Sequence, residues 1–345
     1  MTLLVFFAFA ILAVALLLLP FVPAWQEWQY PTDCAPLPIP HDPTSDILYL
    51  RDRFLQRALS APGKEEHQEQ SLLRATPDCS NVPWSTLTRP ILLSAGTRIA
   101  QPVHCMQPVL AEGDLSLPAG SCFNALMCEG ALELGNESEI VAWAHARGAV
   151  RLGPASIALD RLSSDTSVEF GPGSGFSRVS APAIRFGPPM PGAMKDAMMG
   201  RLSADDFVVA RFPGAIRRAA DTWLVSGDCV LPAGRFFKGA LIVSGLLRIG
   251  DRAAVVGNLK ARRGIIAGRG AFVDGALVSE QDIDIQAGAH VEGPVVSEAR
   301  VHLGAGARIG SPDALTTITA PVILARIGAV VHGTLWARRA GLVEA

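Results

Sequence analysis

Asp282 and Asp284 flank Ile283. In an extended strand the two carboxylates leave on one side, because side chains two apart share a face. Paired carboxylates on a β surface can bind or cleave polysaccharide. With Ile283 and Ile285 facing the other way, a solvated strand edge is the better reading. The chain has seven histidines, at positions 41, 67, 104, 145, 290, 302 and 332, and none shows metal-ligand spacing. His290 and His332 fall on outward positions beside a glycine corner. There is no phosphate loop, no Cys-x-x-Cys pair and no nucleophile elbow, so no catalytic group, metal or cofactor is expected, and the chain reads as non-enzymatic. The cysteines divide into two groups. Cys122, Cys128 and Cys229 lie within repeated segments and suit small buried apolar positions. Cys34 and Cys79 lie in turn-rich contexts, Pro31-Thr32-Asp33-Cys34 and Pro77-Asp78-Cys79, which suit a disulfide and an oxidising compartment.

What must position such groups is a repeat. Ala253-Ala254-Val255-Val256-Gly257 returns as Ala271-Phe272-Val273-Asp274-Gly275 and as Ala289-His290-Val291-Glu292-Gly293, a period of 18 residues. Ala329-Val330-Val331-His332-Gly333 follows after four extra residues around Ser311–Ala314. Within a period, apolar residues come in pairs two apart: Ala253/Val255, Leu259/Ala261 and Ile265/Ala267, then the same places one period later. Each pair is one short inward-facing strand, and three pairs make a three-sided coil. A fixed short period of this kind marks a solenoid. It predicts an internal ladder of Val255, Val273, Val291 and Ile309, and a corner column of Gly257, Gly275 and Gly293, where glycine tolerates positive φ.

A second copy lies upstream. Gly113-Asp114-Leu115-Ser116-Leu117-Pro118-Ala119-Gly120 matches Gly227-Asp228-Cys229-Val230-Leu231-Pro232-Ala233-Gly234, and Gly130–Gly135 matches Gly245–Gly250, at offsets of 114 and then 115 residues. The chain is thus expected to carry a degenerate β-helical unit over 99–188, a connector over 189–222 and a regular unit over 223–345.

The run Gly239–Ala261, with its Ile249-Gly250-Asp251-Arg252-Ala253-Ala254-Val255-Val256-Gly257 phrase, resembles the bactofilins, the polymer-forming cytoskeletal proteins of bacteria. The resemblance covers roughly 223–345 and, weakly, 99–187. It implies a right-handed, three-sided parallel β-helix that assembles end to end without a nucleotide. The tandem copy and the N-terminal region depart from that family.

No charge occurs from Met1 to Trp25, and Thr2–Val22 is long enough for a ~30 Å hydrocarbon core. Trp25, Trp28 and Tyr30 follow, where an interfacial aromatic belt would lie. Residues 1–25 are therefore expected to be a single-pass inner-membrane anchor. The β-helix is expected on the extracytoplasmic side, with the cytoplasmic side as the alternative. Residues 26–98 read as a Pro-rich linker with a short helix near 45–60, which would cap the first β-helix. A net charge of −2 implies no nucleic-acid partner.

The sequence ends about one coil after Gly333, which predicts an open edge of unpaired backbone groups. Leu335, Trp336, Leu342 and Val343 on that edge are the self-assembly candidates. The expected function is a membrane-anchored scaffold whose partners are the membrane, copies of itself, and envelope proteins or polysaccharide. The enzyme alternatives are a carbohydrate-active β-helix and a hexapeptide-type acyltransferase. The latter wants a small residue four after its aliphatic one, where this chain has Leu259 after Val255.

Overall fold

The computed structural model describes residues 2–22, 25, 73–75, 79, 82–188, 212–219 and 221–344. The chain divides into two compact units, Met1–Asp46 and Ile47–Ala345. In the first, a helix spans Thr2–Leu18, followed by a 3-10 turn over Leu19–Phe21. The regular helix stops short of the expected Val22 because Pro20 lacks an N–H and its ring crowds the preceding turn. Among the described residues, no helix is long and apolar enough to cross a membrane.

The second compact unit is a β-solenoid of about 14 turns of about 18 residues. Its regular half has three parallel stacks. One holds Ala240–Val243, Leu259–Ala261, Leu277–Ser279 and Val295–Ser297. The next holds Leu247–Ile249, Ile265–Ala267, Ile283–Ile285 and Arg300–Leu303. The third holds Ala254–Val256, Phe272–Asp274, His290–Val291 and Arg308–Ile309. The predicted ladder forms as read: Val255 pairs with Val273, Val273 with Val291 and Val291 with Ile309, all fully buried. In the corner column Gly257 and Gly275 have φ of 145° and 150°. Gly293 keeps its place without a positive φ; there the constraint is space, since a Cβ would strike the backbone of Gly275.

The duplicated phrase has one job in both halves. Asp114 Oδ1 accepts the N–H of Ala131 at 2.7 Å, and Asp228 Oδ1 accepts that of Leu246 at 2.8 Å. Each carboxylate satisfies a corner donor of the next coil. Gly130 and Gly245 lie against those same carboxylates, where any Cβ would collide.

The first half begins earlier than residue 99. Leu73–Ala75 pairs with Ile91–Leu93, and that strand with Val109–Ala111, so two strands of one stack precede the expected boundary. They were hidden because no glycine phrase marks them: Leu72 precedes the first and Pro90 the second. Beyond Gly153 the coils are less regular, with bulges, but strands continue through Gly175–Phe186.

The two halves meet end to end and antiparallel. The last strand of the first, Gly175–Phe186, pairs with the C-terminal strand Val330–Glu344. Phe176 faces Gly341, Val179 faces Leu335 and Ile184 faces Val331. The open C-terminal edge expected from the sequence is therefore absent: the first unit covers it within the same chain. One inward ladder runs through the seam, from Leu162 to Val179, Leu335, Ile318 and Val295, all at 0% exposure. Phe170, Phe176 and Phe186 form a ring triangle in the core there, with centroids 5.2 to 5.8 Å apart. At the far end of the second half, Phe212 stacks on Phe237 at 5.4 Å. At the far end of the first, Val82, Trp84 and Leu87 pack against the core.

Candidate functional site

A concavity lined by polar residues lies on the seam, and two local irregularities make it. Register slips between Ala181 and Ile184, so two residues of one strand oppose His332 alone. Pro182 sits in that bulge, and its carbonyl accepts a hydrogen bond from His332 Nδ1 at 2.8 Å. On the far side, the four-residue insertion at Ser311–Ala314 closes a small turn, with an isolated bridge between its ends, and delivers Leu315, Thr316 and Thr317 to the rim. The result is an open groove of about 370 Å³.

Its floor is an outward ladder of polar residues. His145 pairs with Ser163, Ser163 with Ser180, Ser180 with Thr334 and Thr334 with Thr317. Ser180 Oγ lies 3.3 Å from Thr334 Oγ1, and His145 Nδ1 lies 2.8 Å from Ser163 Oγ. Asp165 Oδ1 is 3.7 Å from His145 Nε2. A second ladder two residues along carries Trp143, Arg161, Arg178 and Trp336. The Arg178 guanidinium lies over the Trp336 ring, 5.1 Å from its centroid, a cation–π contact.

Ser163, His145 and Asp165 have the residue types of a hydrolytic triad but not its working arrangement. Ser163 is only 4% exposed, so a substrate carbonyl has no approach to its oxygen. Asp165 sits beyond hydrogen-bond distance of the imidazole and does not orient it. The group is a positioned polar cluster that can donate and accept hydrogen bonds.

The residues singled out from sequence separate here. Leu335 and Val343 are core, at 0% and 1% exposure. Trp336 and Leu342 face outward at 41% and 42%, the first against Arg178 and the second opposite Gly175. Cys79 is buried, while Cys34 and its expected pairing lie outside the described residues, as does the helix expected near 45–60. Cys122, Cys128 and Cys229 are buried, and burial pushes all three thiols above their ordinary value. Asp284 is not solvated alone: its Oδ1 lies 2.9 Å from His302 Nδ1, and His302 Nε2 is 3.6 Å from Glu344.

Metal spacing was the wrong filter for the histidines. His145 and Ser163 are 18 residues apart, as are Asp284 and His302, so the period itself makes each pair neighbours on adjacent coils. Among the described residues, no group of three His, Cys, Asp or Glu side chains is placed to hold a metal. No family model, curated protein or solved structure matches the chain.

Proposed function

We propose that the protein is a membrane-anchored, non-enzymatic scaffold built on two bactofilin-like β-helical halves whose sides present sites to envelope proteins or polysaccharide. The observation that carries this reading is the seam. Both inner ends are spent on each other, and one buried ladder passes between them. An end-to-end contact of the sort polymerising solenoids make between chains is here built into one chain. Copies that used the C-terminal coil for assembly would first have to displace Gly175–Phe186, so association between chains belongs to the outer ends or the sides. The right-handed coil sense that the bactofilin resemblance implies is part of the proposal.

The anchor is the apolar N-terminus. Phe7, Phe9, Leu17 and Phe21 are each at least 62% exposed, on a helix with no polar face. Such a surface needs an apolar surrounding. The helix Thr2–Leu18 is about 26 Å long at ~1.5 Å per residue, and the 3-10 turn extends the run. The expected side of the membrane is the extracytoplasmic one, and the expected membrane is the inner. The test is alkaline carbonate extraction of the full chain. The protein should pellet with membranes and keep its N-terminus by mass spectrometry; a soluble chain that begins near Trp25 would refute the anchor.

A further inference from the structure

We propose that the seam groove binds a neutral polysaccharide strand, with Trp336, which lies beside the groove and outside its lining, as a stacking platform at the edge. The accessible lining carries hydroxyls that both donate and accept, from Ser180, Thr317 and Thr334, with one carboxylate from Asp165. Sugar hydroxyls need that mixture. Asp165 is half exposed and takes hydrogen bonds only as an acceptor, so it favours a polyol and repels an anion.

Spacing supports a chain rather than a single small molecule. The ladder crosses from coil to coil at ~4.8 Å per step, about the length of one sugar ring. A strand lying along the ladder meets a fresh hydroxyl at each residue. Trp336 follows Thr334 by two positions on the same outward face, roughly 7 Å along the strand. The Arg178 guanidinium lies over one side of its ring, while two-fifths of the residue stays open to solvent. An indole so placed offers an apolar face to the C–H side of a pyranose while its neighbours take the hydroxyls. The groove's volume of about 370 Å³ falls within the ~300–1,000 Å³ usual for specific ligand sites. This inference names one of the partners in the scaffold reading, but it rests on the seam and not on the anchor, so either can fail alone.

The experiment uses the full chain in a detergent without a sugar headgroup. Chitotetraose and cellotetraose are titrated by calorimetry and by tryptophan fluorescence. Saturable binding of at least one is expected. Trp336→Ala, Asp165→Asn and Thr334→Val should each weaken it tenfold or more, with unchanged thermal midpoints, while Asp284→Asn on another face should not. If Trp336→Ala does not fold, Trp336→Phe, which keeps a ring, should bind within a few-fold of the parent. Lack of binding by either tetrasaccharide at millimolar concentration would overturn the proposal. So would equal binding by the parent, Asp165→Asn and Thr334→Val.

Discussion

From Cys229 to Val291 every strand of the second half meets its partner 18 residues on, and only past the Ser311–Ala314 insertion does the step lengthen, to 22 or 23. In the first half the step shortens to 17 between Val109 and Leu126 and to 16 between Val168 and Ile184, and bulges interrupt the strands at Phe123/Ala125 and Ala158/Arg161. The interiors differ to match. Ladders of Val, Ile, Leu and Ala run through both halves, but the first half adds Phe123, Phe170, Phe176 and Phe186 along its core, whereas the second keeps its buried rings, Phe212 and Phe237, at its far end. Identical small residues stack only if each coil copies the last, so they enforce the period. A large ring fills one irregular space and imposes no repeat on its neighbours. The same cross-section is thus held either by repetition or by fitted parts, and the cost of losing a part should differ.

The largest expected difference is at the seam. Phe176→Ala removes a ring that touches two others and leaves a cavity opposite Gly341, for a loss of about 3–5 kcal/mol. Ile283→Val in the regular half should cost only about 0.5–1.5 kcal/mol. Because the ring lies between the halves, Phe176→Ala should also split a single denaturation transition into two. One transition with a loss near that of Ile283→Val would mean that the seam is not where the halves are coupled.

A smaller effect tests what the halves share. Asp114→Ala and Asp228→Ala each remove a charged acceptor from a corner N–H, worth about 1.5–3 kcal/mol at most and less at these exposed sites. Equal losses by chemical denaturation are expected, since the motif acts locally. A loss confined to one of them would show that the duplicated phrase no longer does the same work in both.

The second half was readable because its strands announce themselves: Ala271/Val273, Leu277 and Ile283 recur in fixed phase, and alternate residues point inward. The duplication was readable for the same reason, through Gly-Asp phrases that fix a corner. The antiparallel seam was not. Pairing of Val179 with Leu335 joins residues 156 apart with no shared motif, and an edge looks open until a partner is found. The groove was half visible. The insertion at Ser311–Ala314 stood out as a broken period, but its meaning depended on Ser180 and Pro182, which only the seam brings beside it.

Alkaline pH should separate the halves more gently. Burial pushes the thiols of Cys105, Cys122, Cys128 and Cys229 above the ordinary 9.0. A group with a raised folded-state pKa adds stability that is fully present below its unfolded value and is lost as pH rises through the folded one. Stability should therefore fall above about pH 9. Three of these thiols lie in the first half, so Cys105→Ala, Cys122→Ala and Cys128→Ala together should flatten the slope more than Cys229→Ala. Equal slopes would assign the alkaline loss to other groups.

The smallest effect is expected on the outer face of the regular half. Asp284 holds His302, and His302 lies near Glu344, which Arg326 approaches at 3.8 Å. All four are partly exposed, so each attraction is screened by water and salt. Asp282 adds only a solvated carboxylate at the strand's edge. The double variant Asp282→Asn, Asp284→Asn should lose less than about 1 kcal/mol, less still in high salt, and should bind saccharide like the parent. What it changes is the end of the C-terminal strand, since Glu344 then shares His302 with no competitor. Hydrogen exchange there should slow slightly or stay level, while the seam amides of Leu335 and Val343 stay unchanged. A loss of several kcal/mol would mean that the regular half depends on its outer charges as much as on its ladders. The contrast between repetition and fitted parts would then have to be sought at the surface.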